Sequence, residues 1–250
     1  MTDLAVVFVH RFGGSRLSFD GVIARLGGDV RTLAFDLPGF GTQAGASGPY
    51  TVDAYADFVA ARTSGLSFVL VGHSMGGKVA LALAARQPKA LRALVLLASS
   101  PPTPEPIADA ERVRAIDGWA TYGAASETLA AITGRPLPDD LRRVEIDDMM
   151  RASKAAWNAW LEHGSREDIS ARMDRVAVPV TVVSGTCDPV VPTALQHRLV
   201  SMLPDARLVT VPGAGHLLPI EDPDAVTTAV EDAVATCGRP VLRELSRAIR

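Results

Sequence analysis

Gly72-His73-Ser74-Met75-Gly76 sets a hydroxyl between two glycines, and its flanks explain the pattern. Ser67–Val71 is an apolar, β-rich run, while Met75–Arg86 carries helical periodicity. The chain must therefore pass from strand to helix within a few residues, and Ser74 falls on the turn with strained backbone angles. Glycine is needed at 72 and 76 because side chains there would collide. The hydroxyl is then exposed above the sheet, at the positive end of the following helix. A serine hydroxyl is a poor nucleophile until a base takes its proton. His73 is fixed by the turn and packs beside the site, whereas His163 and His197 fall in helical patterns and read as surface or satisfied polar residues.

Other chemistries lack their residues. Cys187 and Cys237 are too few for a disulfide framework and have no zinc spacing, so both read as small buried apolar side chains in a reducing, cytoplasmic setting. No metal ligand set and no cofactor is expected. No phosphate-binding loop appears, and Gly13-Gly14 lacks the dinucleotide fingerprint. Lys and Arg total 25 against 28 Asp and Glu, a formal charge of −3, which offers no basic footprint for nucleic acid or anionic lipid. Met1-Thr2-Asp3 puts an acid where a signal peptide needs cations, and no apolar run approaches membrane-spanning length.

Short apolar runs alternating with longer amphipathic stretches position the serine turn. Strands are predicted at Leu4–Val9, Val30–Phe35, Ser67–Val71, Leu91–Ala98, Pro179–Ser184 and Ala206–Val211. Helices are predicted from Thr51 or Asp53 to about Thr63, then at Met75–Arg86, Thr193–Met202 and Asp222–Ala235. Continuous apolar strands imply a mostly parallel sheet buried on both faces. The alternation breaks at the proline-rich hinge Pro101–Pro106. Helical patterns follow at Asp109–Gly118, Ser126–Ile132, Asp139–Ala152 and Ala155–His163. Residues 101–176 thus read as a helical cap inserted into a core formed by 1–100 and 177–250, and Pro240–Arg250 reads as one more amphipathic helix.

Taken with that order of elements, the serine turn resembles the nucleophile turn of the α/β-hydrolase family, serine-nucleophile branch. The resemblance covers most of the core and implies the chain order Ser, then Asp or Glu, then His. Gly185-Thr186-Cys187-Asp188-Pro189-Val190-Val191-Pro192 looks like the family's acid loop, and Gly213-Ala214-Gly215-His216-Leu217-Leu218-Pro219 like its histidine loop. His216 would then serve as the base, and Asp188 would hold the ring in the right tautomer. His10-Arg11-Phe12-Gly13-Gly14 resembles the family's His-Gly-x-Gly-Gly loop, which assigns the oxyanion hole to the N–H groups of Phe12 and Met75. His10 would order that loop. Arg11 stands where glycine is usual. Its guanidinium either points to solvent or overhangs the pocket mouth, where its planar fork suits a carboxylate or carbonyl oxygen of the substrate.

These roles imply hydrolysis of small or medium carboxylic esters through an acyl-enzyme. Carbon–carbon bond hydrolysis, thioester hydrolysis and cofactor-free perhydrolysis use the same constellation, and a ligand receptor on a hydrolase scaffold is the non-enzymatic alternative. The expected partner is a small-molecule ester. Within the cap, Trp119, Tyr122, Trp157 and Trp160 supply apolar surface for substrate, as do Met149 and Met150.

Overall fold

The computed structural model describes residues 4–28 and 30–237. Six apolar runs form strands: β1 (Leu4–Val9), β2 (Arg31–Phe35), β3 (Ser67–His73), β4 (Leu91–Leu97), β5 (Val180–Gly185) and β6 (Ala206–Val211). All pair in parallel in the order β2-β1-β3-β4-β5-β6. The two-residue period of a strand then sorts side chains between two cores. Val7, Val9, Leu70, Leu94 and Leu96 face one of them, and Val6, Phe8, Val69, Val71 and Val95 face the other. Both faces need covering, and the helices do it.

In chain order the helices are α1 (Asp20–Ile23), α2 (Val52–Arg62), α3 (Met75–Ala84), α4 (Asp109–Asp117), α5 (Tyr122–Ile132), α6 (Asp139–Arg151), α7 (Lys154–Glu162), α8 (Thr193–Ser201), α9 (Leu218–Glu221) and α10 (Pro223–Cys237). Val52, Tyr55 and Val59 of α2 and Val79 and Leu83 of α3 fill the first core. Val22 of α1 and Val226 and Val230 of α10 fill the second. Thr51 caps α2 as expected, its hydroxyl accepting the Ala54 N–H at 3.1 Å. The expected helix over 240–250 lies outside the described residues.

The chain leaves β1 for β2 on one side and returns to β3 on the other. The loops after β1 and β3 therefore diverge above a crevice at the carboxyl ends of the strands, where open α/β sheets bind ligands. Helices α4 to α7 enter between β4 and β5 and join the first core through Ile146, Met149, Trp157 and Trp160. The proline-rich stem of this insertion is not a free hinge. Glu105 N–H donates to Ser165 O at 2.8 Å and Ile169 N–H to Pro102 O at 2.8 Å, so the outgoing and returning stems bond to each other. Lys78 of α3, fully buried, donates to Thr103 O at 3.3 Å and Glu167 O at 2.5 Å and ties both stems to the helix behind Ser74. One expectation fails here: Cys187 is exposed and Cys237 half-buried, because Cys187 sits on a loop crest and not in a strand.

Candidate active site

Strand β3 ends at His73 and α3 begins at Met75, so Ser74 alone makes the turn, at φ 52° and ψ −116°. A non-glycine residue there costs about 1–3 kcal/mol and persists only where its surroundings over-determine it. They do. Ser74 N–H donates to Leu97 O at 2.9 Å, and Ser74 O accepts from Gly77 N–H at 2.8 Å and Ser100 N–H at 3.1 Å. A Cβ on Gly72 would lie 2.5 Å from Gly76 O, and one on Gly76 would lie 2.3 Å from Val9 O. Helix α3 thus presses its first turn against the end of β1, which brings Met75 beside the loop that follows β1.

Strands β5 and β6 are neighbours, with Gly185 level with Val211, so the loops after them run side by side. Cys187 N–H donates to Ala214 O at 2.9 Å and zips them together. Asp188 comes from one loop and His216 from the other. His216 Nδ1 lies 2.9 Å from Asp188 Oδ2, and His216 Nε2 lies 2.9 Å from Ser74 Oγ. A carboxylate only accepts, so Nδ1 carries the hydrogen and Nε2 presents its lone pair to the serine hydroxyl. Asp188 Oδ1 accepts the N–H groups of Val190 at 2.8 Å and Val191 at 3.0 Å, which fixes the carboxylate. His73 donates from Nε2 to His216 O at 2.8 Å. Burial holds the His73 ring well below the usual imidazole range, so it stays neutral beside the site.

The loop after β1 is ordered by His10. Its Nδ1–H donates to Arg11 O at 2.7 Å and its Nε2 accepts Leu37 N–H at 3.0 Å. Burial lowers the ring to about 4, so it is neutral in this tautomer. Arg11 O also accepts Gly14 N–H at 3.1 Å. In a trans peptide the N–H points away from the carbonyl, so two donors on Arg11 O set the direction of Phe12 N–H. Among the described residues neither Phe12 N–H nor Met75 N–H has a hydrogen-bond acceptor.

Arg11 departs from the solvent-directed reading of its fork and borders the cavity instead, with an acidic partner from α6. It is 4% exposed, not solvent-directed, and Glu145 of α6 occupies its guanidinium. Nε donates to Glu145 Oε2 at 3.2 Å, Nη2 donates to the same oxygen, and Nη1 donates to Phe12 O at 2.8 Å. Arginine leaves water only when paired, and the pairing carboxylate comes from the insertion.

A cavity of about 660 Å³ opens over Ser74 and His216, within the range of small-molecule sites. Arg11, Phe12, Met149, Trp157 and Trp160 line it. Phe12 packs against the Trp157 ring with centroids 4.3 Å apart. Trp119 and Tyr122, expected at the substrate, are not among its lining residues. Trp119 Nε1–H is held by Ala152 O at 2.9 Å with the Lys154 ammonium over its ring, and Tyr122 is 62% exposed at the start of α5. Among the described residues no group of three or more His, Cys, Asp or Glu could hold a metal ion.

A model of the α/β hydrolase family matches residues 6–229. The chain belongs to the α/β hydrolase family. A pimeloyl-[acyl-carrier protein] methyl ester esterase of Neisseria meningitidis is 30% identical over 250 residues, covering 92% of this chain and 93% of that one. A 2-(acetamidomethylene)succinate hydrolase of Mesorhizobium japonicum is 27% identical, covering 92% and 87%. An esterase from Exiguobacterium antarcticum shares the fold at a TM-score of 0.84 and 18% identity, covering 94% of this chain and 92% of that chain. With such relatives this hydrolase is an enzyme of hydrolytic type. No helix among its described residues is long and apolar enough to cross a membrane.

Sequence reasoning missed two carboxyl groups at the candidate site of this hydrolase. Glu221 Oε2 accepts the N–H groups of Gly215 at 2.8 Å, Gly134 at 2.8 Å and Arg135 at 2.9 Å, and Oε1 accepts Leu217 N–H at 2.9 Å. One side chain therefore grips both neighbours of His216 and the chain just after α5. Its spacing of five residues from His216 was readable, but its partners were not. Glu105 lines the cavity, and burial pushes its carboxyl up, against the pull of Ser100 and Lys78. Nothing in the sequence around the prolines marks it.

Proposed function

We propose that this hydrolase cleaves small or medium carboxylic esters through an acyl-enzyme, with Ser74 as nucleophile, His216 as base and Asp188 as orienting acid. The observation that carries the reading is the continuous Ser74–His216–Asp188 hydrogen-bond chain at the floor of the cavity, with both distances 2.9 Å. As Ser74 Oγ attacks the ester carbonyl carbon, its proton passes to His216 Nε2. The carbonyl oxygen becomes an oxyanion and accepts the N–H groups of Phe12 and Met75. Preorganised donors of this kind are worth about 3–4 kcal/mol each. Collapse expels the alkoxide, which takes the proton from His216. Water then repeats the sequence on the acyl-enzyme and releases the acid. Asp188 stabilises the imidazolium and keeps Nδ1 protonated throughout. Residues 101–176 act as the cap, with Trp157 and Trp160 bounding the acyl or alcohol group. The methyl ester esterase among the relatives supports an ester as the bond broken.

A panel of nitrophenyl esters graded by acyl length, with a lactone, a thioester and a carbon–carbon substrate beside them, tests the reading. Short and medium esters should be turned over repeatedly. Ser74→Ala should lower kcat on the order of a million-fold with the fold intact, and a fluorophosphonate should label Ser74. Retention of more than about a tenth of the activity in Ser74→Ala would remove the serine mechanism. A single slow turnover would point to a ligand receptor instead.

A further inference from the structure

The loop that carries Phe12 has two supports. From below, His10 and Gly14 hold its carbonyl. From above, the inserted segment holds it by an ion pair buried on both sides: Arg11 is 4% exposed and Glu145 1%. The other Glu145 oxygen is not idle, since Oε1 accepts the Ser18 hydroxyl at 2.8 Å. Glu145 therefore bridges two points of the loop, residues 11 and 18, and Arg11 passes the hold to Phe12 O through Nη1. A methyl group on Gly13 would lie 3.1 Å from the Trp157 ring and 3.2 Å from Met149, so α6 and α7 lie directly on the loop. Three of the five Arg11 N–H groups are spent on the loop and on Glu145, so the side chain is held in place before any substrate arrives.

We infer that Arg11 and Glu145 are positioning residues, an ion-pair clamp by which the inserted helical segment sets the place of Phe12 N–H in the oxyanion hole. The inference rests on the ester-hydrolase reading. It makes α6 part of the catalytic geometry and not only a wall of the pocket. The clamp acts on the loop and the loop acts on the oxyanion, so its loss is felt in the transition state, where the oxyanion exists, more than in ground-state binding.

Glu145→Gln keeps the shape and removes the charge. The double variant Arg11→Met/Glu145→Met replaces the pair by apolar side chains, an exchange that commonly preserves stability. Each is compared with wild type by ester kinetics, by affinity for a trifluoromethyl ketone that adds to the serine as a tetrahedral oxyanion, and by hydrogen–deuterium exchange of the peptide spanning 9–19. Displacement of a donor by about 1 Å costs up to about 100-fold. Glu145→Gln should therefore lower kcat about 10-fold and the double variant about 100-fold. KM should stay within about three-fold in both, ketone affinity should fall in step with kcat, and exchange over 9–19 should rise. Arg11→Lys, which keeps the charge without the fork, should fall between wild type and the double variant. Wild-type kcat and exchange in either variant would overturn the clamp while leaving the ester reading intact. So would a double variant that regains full kcat along with its melting temperature, because the pair would then be mere packing. Failure of the ester reading is separately visible: wild type would turn over no ester and bind no ketone. The clamp would fall with it, whatever the exchange shows.

Discussion

Asp188 has both oxygens committed, Oδ2 to His216 Nδ1 and Oδ1 to the N–H groups of Val190 and Val191. An asparagine in its place has one accepting oxygen for those three donors. Whichever way its amide turns, an N–H group faces another N–H group or the histidine takes the wrong tautomer. Asp188→Asn should therefore lower kcat on the order of ten-thousand-fold and shift the melting temperature far less. Parallel rate and thermal measurements on one preparation check this, and wild-type turnover would send the orienting role elsewhere. The residues of this chain were readable from sequence because each is fixed locally. Ser74 lies between two glycines that must touch backbone, and Asp188 and His216 lie in the loops that follow adjacent strands. Arg11 was legible as an oddity only. Its partner lies 134 residues away, and no local pattern reports on a contact of that range. Trp119 and Tyr122 misled because aromatic side chains in an amphipathic segment look alike whether they face a cavity, a neighbouring carbonyl or water.

At the scale of elements, the strands were legible because a sheet buried on both faces demands unbroken apolar runs. Strand β3 extends past Val71 because Gly72 and His73 still pair, level with Leu96 and Leu97 of β4. Helix α5 starts at Tyr122 and not at Ser126, since its first turn is exposed and has no apolar period to announce it. The four-residue helices α1 and α9 are too short for a period to exist. The element that joins site to insertion is α3, through Lys78. Burial lowers the lysine from its usual range, and its stem contacts make it a structural cation. Lys78→Met would fill the space but leave Thr103 O and Glu167 O without their donor. Each unsatisfied carbonyl costs about 1–3 kcal/mol, so the stems should loosen. Hydrogen exchange over 100–108 and 163–170 should rise, and KM for esters with it. Unchanged protection in both stretches would refute the tether.

For the whole molecule, stability should depend on pH through α6. Burial pushes the Asp148 carboxyl up to about 6, the Glu145 charge adds to the shift, and Ser15, Arg151 and Arg11 oppose it. A carboxyl that binds its proton more tightly when folded favours the fold most at low pH. That contribution is full below the unfolded value near 4 and is lost as pH rises through about 6. The side chain is 1% exposed, so the loss is on the order of 2–3 kcal/mol. Asp148→Asn should therefore unfold at higher denaturant than wild type at pH 7.5, with the advantage shrinking toward pH 4. A gap independent of pH would exclude Asp148 as the titrating group. The stems raise a question of inheritance. Because one ammonium reaches carbonyls on both, the segment between β4 and β5 leaves and re-enters the core at nearly one place. It could be exchanged between relatives as a cassette, to change what the pocket accepts without disturbing the sheet. Position 11 would have to travel with it. A donor segment lacking an acid at the place of Glu145 would strand a buried cation beside the serine, so chimeras that keep Arg11 should melt at lower temperature than those with glycine there, although the latter still lack the clamp.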